Sequence, residues 1–148
     1  MKDHAGDGLG NPGELMSRFP YMFPSKNLGY DFALGWFPNF VSLCESIDEL
    51  LGEDKRAFHW TQLKEKMGSG RYHYAIKSKG VMAGAGIIAS IRKLVESAES
   101  ETVNTCIYCG EPGSMHNNKG YMLVCCDLHR KLAESGVGES PWFEEGDF

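Results

Sequence analysis

The chain has 148 residues, 42% hydrophobic and 24% charged, which is typical of one globular domain or of one domain with a small appendage. The weakly polar stretch 81–91 is too short and too rich in Gly and Ala to span a bilayer, and the N-terminus lacks the apolar segment of a signal peptide. We therefore expect a cytoplasmic protein without membrane contact, in which the cysteines favour metal binding over disulfides.

The net charge of −5 is unevenly distributed along the chain. Residues 1–54 carry three basic and nine acidic side chains, and residues 94–148 carry three basic and ten acidic ones. Residues 55–93 carry nine basic side chains and one acidic one. A basic centre of this kind suits contact with a polyanion, although intramolecular screening by the acidic ends is the simpler interpretation.

The N-terminal third is predicted to contain a disordered start and an ordered aromatic segment. Residues 1–13 hold four glycines and a proline without apolar periodicity, which predicts disorder. The stretch 14–37 is rich in aromatic residues and proline, which favours an ordered loop or short helical turns packed on a core. An exposed aromatic contact surface is the alternative for that stretch.

The first helix is predicted over 38–51. Apolar residues recur there at i, i+3, i+4 and i+7, Pro38 suits the first turn, and Gly52 follows the end. Cys44 lies on the apolar stripe, so we expect it to be a buried small side chain and not a ligand or a nucleophile.

An antiparallel hairpin is predicted over 57–77. Strand-forming residues alternate in 58–63 and in 72–76, and the Gly-Ser-Gly segment 68–70 supplies the turn. The charged residues of both arms are expected on one exposed face. If that face binds nucleic acid, cations would contact phosphates and aromatic rings would stack on bases. The candidate residues are Lys64, Lys66, Arg71, Lys77, Trp60, Tyr72 and Tyr74.

The same hairpin is open to other interpretations. Aromatic and arginine anchors equally suit a protein interface. His59, His73 and Glu65 would form an acid–base set, although histidines on strands more often serve packing or lie on the surface. A purely structural hairpin is the simplest interpretation.

Helical periodicity returns over 81–99, with an apolar stripe that includes Ile87, Ile91 and Val95. Two glycines, Gly84 and Gly86, weaken the first turns of this helix, or else let it approach the sheet closely. A second helix is therefore predicted directly after the hairpin.

Four residues further along have the spacing of a zinc site: C-x2-C, sixteen residues, then C-x2-H. They are Cys106, Cys109, Cys126 and His129. Each pair supplies two ligands from one turn, and the intervening chain folds back to join the pairs. Cys125 would need an x3 spacing, so we assign the ligand role to Cys126 and expect Cys125 in the core or as a substitute ligand. Four protein ligands leave no open position, which disfavours catalytic zinc.

These elements predict an α+β fold with an N-terminal helix, a two-stranded or slightly larger antiparallel sheet, a second helix and a C-terminal zinc ribbon. The predicted divisions are an α/β core over 14–100, a zinc ribbon over 101–133 and an acidic tail over 134–148. The tail combines carboxylates with aromatic residues and is expected to be mobile or ordered by a partner.

Three segments of the chain resemble motifs of a known protein family. The segment 63–74 reads LKEKMGSGRYHY, 105–113 reads TCIYCGEPG, and 35–47 reads GWFPNFVSLCESI. In their order along the chain (35–47, 63–74, 105–113) they resemble a family of small zinc-ribbon proteins encoded by bacteriophages and prophages, over roughly residues 35–130. The hairpin of that family reads K-E-K-F-G-G-L-R-[FY], and its knuckle reads C-x-x-C-G-x-P-G.

The chain departs from this pattern at Met67, Ser69 and Gly70, where the family has Phe, Gly and Leu, and loss of the leucine weakens the case that the turn packs on the core. The resemblance implies a fold and a phage origin but no reaction. With the closed metal site it leads us to expect a non-enzymatic, zinc-stabilised binding protein in the bacterial cytoplasm. Its partner would be a host protein or nucleoprotein complex, for example a defence system inhibited by an anti-CRISPR protein. A nucleic-acid-binding module using the hairpin 55–79 is the alternative, a zinc-containing nuclease is a weaker one, and the oligomeric state stays open.

Overall fold

The structure, a computed structural model, describes residues 10–24, 29–77, 84–136 and 138–148. Across these residues the chain forms four α-helices and two antiparallel two-stranded sheets, which confirms the predicted α+β class. The helices are α1 (Pro12–Arg18), α2 (Phe37–Leu51), α3 (Ala85–Thr102) and α4 (Asp127–Glu134). The strands are β1 (Phe58–Lys66) with β2 (Ser69–Ile76), and β3 (Ser114–Asn118) with β4 (Tyr121–Cys125).

The described part of the N-terminus begins with a capped helix. The side chain of Asn11 accepts a hydrogen bond from the backbone nitrogen of Glu14 at 2.9 Å, and Pro12 occupies the first turn of α1. Asparagine is favoured as an N-cap because its side chain accepts a hydrogen bond from a free backbone N–H group. Proline is favoured in the first turn because it has no backbone N–H group that needs a partner. The end of the segment 1–13 is therefore helical where disorder was predicted, and residues 1–9 lie outside the described part.

The predicted first helix is present as α2, which begins one residue before the predicted range and ends with it. Gly52 caps its C-terminus with a φ of 56°, a conformation that glycine adopts at little cost. Cys44 is completely buried in the apolar stripe, as predicted, and burial raises the pKa of its thiol. This side chain is a core residue.

The second helix, α3, runs three residues beyond its predicted end, and residues 78–83 before it lie outside the described part. A Cβ built on Gly86 meets no atom within 4 Å, so the small residues at this end do not bring the helix close to the sheet. The close approach lies at the other end, where the Gly70 N–H donates to Thr102 Oγ1 at 2.8 Å. A Cβ on Gly70 would lie 3.0 Å from Thr102 Cγ2, which explains a glycine where the resemblance predicts leucine.

The hairpin turn differs from the prediction in position. Its two central residues are Met67 and Gly68, with φ values of 55° and 88°, so the turn begins one residue earlier than the predicted segment 68–70. A Cβ on Gly68 would collide with Met115 Sδ and lie 2.8 Å from Met115 Cε. The turn of the first hairpin therefore packs directly against β3 of the second.

A β-bulge changes which side chains of β1 face the core. The register with β2 shifts between Trp60 and Gln62, so Trp60 and Leu63 are both buried. Strict alternation, as predicted, would place them on opposite faces, because side chains alternate along a strand. The bulge thereby turns Lys64 and Lys66 to the side that faces away from the core.

One hydrophobic core joins the aromatic N-terminal segment, α2, the hairpin and α3, which confirms the predicted ordered packing of that segment. Aromatic rings dominate it, with many pairs in edge-to-face contact. Its buried members include Leu15, Phe19, Met22, Phe23, Tyr30, Phe32, Phe40, Ile47, Phe58, Trp60, Leu63, Tyr72, Ile91 and Val95.

The C-terminal tail packs against this core. The Phe143 N–H donates to the Phe32 carbonyl oxygen at 3.0 Å, and the ring of Phe148 lies 5.7 Å from that of Phe32. The prediction of a mobile or partner-ordered tail over 134–148 is therefore corrected for residues 138–148. The aromatic side chains among the carboxylates supply the apolar contact that the acidic composition obscured.

Candidate metal centre and hairpin face

The first cysteine pair lies in a tight turn after α3. The Gly110 N–H donates to the Cys106 carbonyl oxygen at 2.9 Å, and the Cys106 N–H donates to the Glu111 carbonyl oxygen at 2.7 Å. Gly110 has a φ of 85°, which glycine adopts without steric cost. The resulting turn brings the sulfur atoms of Cys106 and Cys109 into one cluster of metal donors, as the spacing predicts.

The second pair spans the junction of β4 and α4. Cys126 is the N-cap residue of α4 and His129 lies in its first turn. Cys125 ends β4 and is 2% exposed. Because neighbouring residues in extended chain point in opposite directions, Cys125 enters the interior of the ribbon while Cys126 faces the first pair. The donor cluster contains Cys126 and not Cys125.

Three of the six distances between the four donor atoms are close to those of a tetrahedral metal site. Cys109 Sγ lies 3.8 Å from Cys126 Sγ, and His129 Nδ1 lies 3.2 Å from Cys126 Sγ and 3.7 Å from Cys106 Sγ. With Zn–S bonds of roughly 2.3 Å and Zn–N bonds of roughly 2.0 Å, tetrahedral geometry places S···S pairs roughly 3.8 Å and S···N pairs roughly 3.5 Å apart. All four donors lie within 4.8 Å of one another, so they could hold a metal ion.

The electrostatics of the cluster also fit a cation. Burial opposes the Cys106 thiolate, but backbone N–H groups of Cys126, Cys109 and Tyr108 donate to its sulfur and lower its pKa. Burial and the neighbouring Cys106 sulfur raise the pKa of Cys109 to about 12. The fold thus favours a thiolate at Cys106. A second thiolate at Cys109 is unfavourable unless a cation lies between the two sulfur atoms.

An aromatic ring orients the histidine of this cluster. The rings of Tyr108 and His129 stack with centroids 5.0 Å apart and planes within 6° of parallel. This contact fixes the imidazole plane so that Nδ1 points towards Cys106 and Cys126, which is the role of the residues around metal ligands in general. The sequence analysis missed Tyr108, since its position inside the C-x2-C pair carries no signal of stacking.

Gly35 holds the knuckle against the core. Its N–H donates to the Ile107 carbonyl oxygen at 2.8 Å. A Cβ on Gly35 would collide with the Cys106 carbonyl oxygen and lie 2.7 Å from the Gly110 nitrogen, both of them backbone atoms that cannot turn aside. The next residue, Trp36, donates from Nε1 to the Thr105 carbonyl oxygen at 2.9 Å. Sequence analysis noted this Gly-Trp pair as part of a resemblance but did not assign it this contact.

The cations of the first hairpin share one face, which we call the hairpin face. Lys64 pairs with Arg71 across the strands, and Lys66, Arg71 and Lys77 are exposed. His73 is exposed on the same side of β2. The hairpin face therefore consists of Lys64, Lys66, Arg71, His73 and Lys77.

The aromatic candidates lie on the opposite side. Tyr72 is 8% exposed and Trp60 is completely buried, and both belong to the core. Tyr74 is half-buried and stacks on Phe58 with centroids 5.4 Å apart. Burial raises the pKa of Tyr72 and of Tyr74. The sequence prediction that these rings alternate with the cations on one binding surface does not match their placement, because a stacking ring must be open to solvent.

The three residues of the acid–base hypothesis are not brought together. Glu65 pairs with Gly70, whereas His73 pairs with Gln62, three positions further from the turn. Three residues of strand span roughly 10 Å, which is beyond hydrogen-bond reach. Glu65 Oε2 instead accepts a hydrogen bond from the Gly68 N–H at 2.7 Å and so stabilises the turn.

No family model, curated protein or solved structure matches this chain. The resemblance to phage-encoded zinc-ribbon proteins therefore stays a prediction. Among the described residues, no helix is long and apolar enough to cross a membrane. Inferences about what the chain does consequently depend on its donor cluster and its hairpin face.

Proposed function

We propose that the protein is a non-enzymatic binding protein whose ribbon is held together by one zinc ion. Three cysteines and a histidine form a soft donor set of the kind that zinc prefers over magnesium or calcium. Four protein donors complete a tetrahedral shell and leave no position for a substrate or a reacting water. The zinc then stabilises the ribbon and takes no part in a reaction.

The recognition surface that we propose is the hairpin face, and its partner is a nucleic acid or a nucleoprotein complex. One observation carries this proposal: four cations share one side of the sheet, and the carboxylates of Glu65 and Glu99 near them accept hydrogen bonds from backbone N–H groups. Glu65 is the only carboxylate in the sequence 58–77, and it bonds to the turn. Among the described residues, the ion pairs are Arg18–Glu45, Lys55–Asp48 and Arg130–Glu134, and none of them involves the hairpin face. Unpaired cations on one side of a sheet favour contacts with successive phosphates.

The test measures the affinity for a labelled oligonucleotide by fluorescence anisotropy, at salt concentrations from about 50 to about 200 mM. Four phosphate contacts predict a slope of log K against log salt of roughly −3, and Lys64→Glu with Arg71→Glu should abolish binding at about 150 mM salt. Arg92→Glu with Lys93→Glu is the matched control, because it makes the same charge change at two exposed positions of α3. Equal losses in both double variants would contradict the proposal, since they would reflect net charge alone.

A host-directed role extends this proposal through the resemblance to phage proteins. In that version the partner is a nucleoprotein complex of a bacterial defence system in the host cytoplasm, and the hairpin face contacts its nucleic acid. Affinity capture from a bacterial host lysate should then retain one dominant complex, and nuclease treatment should release it. Capture that resists nuclease and persists in the Lys64→Glu, Arg71→Glu variant would point to a protein-directed inhibitor instead.

A further inference from the structure

An apolar patch lies where the two hairpins meet. Met67 and Tyr121 are each 70% exposed, and Met115 is 36% exposed. Met67 lies in the first turn and Tyr121 begins β4 beside the second turn, whereas Met115 lies towards the other end of β3, where its side chain contacts Gly68. A cleft of about 240 Å³ between the turns is lined by Glu65, Lys66, Met67, Gly120, Tyr121 and Met122.

The cleft is continuous with the hairpin face. Lys66 belongs to both, and the pair Lys64–Arg71 lies two positions further along the strands, which is roughly 7 Å. Lys119, in the turn between β3 and β4, adds an exposed cation beside Gly120. The carboxylate among the lining residues, Glu65, is held by the Gly68 N–H at 2.7 Å. Positive charge therefore flanks the apolar patch along the hairpin face and at the opposite turn.

We propose that this cleft binds single-stranded nucleic acid, with a base stacked on Tyr121 and the backbone following Lys66, Lys64 and Arg71. The proposal rests on the proposed function and specifies its partner. Among the described residues, the phenylalanine, tryptophan and tyrosine rings of the first hairpin are buried or half-buried, whereas Tyr121 is exposed and lines the same cleft as Lys66. An aromatic platform next to a row of cations binds unpaired bases, since a duplex hides the faces of its bases.

The proposal predicts different affinities for single-stranded and duplex nucleic acid, and it gives the aromatic ring and the cations different roles in binding. Tyr121 contributes stacking, which does not depend on salt, while the lysines and the arginine contribute the salt-dependent part. Tyr121→Ala should therefore weaken binding of single strands without changing the slope against salt. Lys64→Glu with Arg71→Glu should lower that slope.

The experiment uses the full-length, zinc-loaded protein and measures its affinity for three labelled probes by fluorescence anisotropy. The probes are the single strands dT12 and U12 and a duplex of the same length, about 12 base pairs. We expect both single strands to bind at least about tenfold more tightly than the duplex, and Tyr121→Ala to lose about tenfold or more for single strands. Tyr121→Phe should bind like the wild type, because it keeps the ring. Phe148→Ala, which removes a partly exposed aromatic ring outside the cleft, is the control and should leave the affinity for every oligonucleotide unchanged.

A second measurement leaves the protein unchanged. An oligonucleotide with abasic sites in place of its central bases keeps every phosphate, so it should bind wild type about as weakly as dT12 binds Tyr121→Ala. If the wild type binds no oligonucleotide, the proposed function fails and this inference fails with it. If it binds but ignores both the abasic sites and Tyr121→Ala, or prefers the duplex, the stacking site is overturned and the basic hairpin face remains.

Discussion

The core (residues 12–102) and the ribbon (residues 104–134) are stabilised by different means. Among its described residues the core contains one cluster of nineteen buried side chains, whereas the ribbon buries Cys106, Ile107, Val124 and Cys125. Because the ribbon buries only two aliphatic side chains, Ile107 and Val124, we expect the ribbon, but not the core, to depend on the proposed metal.

One joint between the two regions, at the knuckle, includes a close contact between backbone atoms. Ile107 packs with Ala33 and Trp36, and the knuckle lies flush on Gly35. A contact of this kind has no adjustable side chain on one side, so it transmits any displacement of the knuckle to the segment before α2. Each prediction below perturbs the core, the ribbon or this joint.

Metal removal should have the largest effect, and it should be confined to the ribbon. Chelation removes roughly 10–16 kcal/mol of apparent folding free energy from the segment that the metal organises. In amide NMR spectra, residues 104–134 should move to random-coil shifts while β1 and β2 keep their dispersed shifts. Loss of dispersion throughout the chain would break the comparison, because it would make the core depend on the metal too.

Truncation inside the core should come next. Ile47 is completely buried, so Ile47→Ala should lower the free energy of unfolding by about 2–5 kcal/mol. Leu128→Ala, at a side chain that is 62% exposed, should stay within about 0.5 kcal/mol of the wild type. Urea denaturation measures both values. The metal content of folded Ile47→Ala should equal that of the wild type, and a loss would show that the ribbon needs the core to bind metal.

Adding one methyl group at the joint should have a smaller effect. Gly35→Ala forces backbone atoms of the knuckle apart and should cost about 1–3 kcal/mol of stability while weakening metal binding. Gly86→Ala is the matched control, because it lies in α3 with open space around its Cβ and should stabilise by up to about 1 kcal/mol. Competition with a chromogenic chelator measures the metal affinity. Unchanged affinity in Gly35→Ala would remove the joint from the account.

The smallest effect concerns an ion pair on the surface of the core. Burial opposes the charged form of Asp48, but hydrogen bonds from Lys55 (2.7 Å) and Tyr21 (2.6 Å) hold the pKa of its carboxyl below the usual range. A lowered pKa stabilises the fold above the unfolded value of roughly 3.9, and this stability is lost as the pH falls through the folded value. Solvent screening limits the gain, so Asp48→Asn should cost about 0.5–1 kcal/mol at pH 7.

The pH dependence provides the control for this variant. The difference between Asp48→Asn and the wild type should shrink as the pH falls below roughly 4, and thermal unfolding at several pH values measures it. A difference that persists at low pH would assign the effect to lost packing and not to charge.

Sequence periodicity and spacing revealed the features that depend on local pattern. The apolar repeat located α2, and the C-x2-C and C-x2-H pairs identified the four donors that the fold brings together. The bulge after Trp60 was not visible, because one extra residue in a strand leaves no compositional mark. It placed both Trp60 and Leu63 on the buried face of β1.

Contacts between residues distant in sequence could not be predicted from local sequence patterns either. Gly35 lies seventy-one positions before Cys106 (106 minus 35), and no local rule links a glycine before a helix to a metal knuckle. The tail was misjudged for a related reason: its acidic composition predicted mobility, while Phe143 and Phe148 found partners on Phe32 and Phe37. Tertiary packing overrode composition in both places.

The most direct test of the metal centre is zinc analysis of two neighbouring variants. Cys125→Ala removes a buried thiol that is not part of the donor cluster, so the donor set stays intact. Cys126→Ala removes a donor that lies 3.8 Å from Cys109 Sγ and 3.2 Å from His129 Nδ1. Freshly purified, reduced wild type and Cys125→Ala should each contain about one zinc per chain, and Cys126→Ala should contain none that survives dialysis. Zinc retained in Cys126→Ala and lost in Cys125→Ala, or no zinc in the wild type, would contradict the assignment.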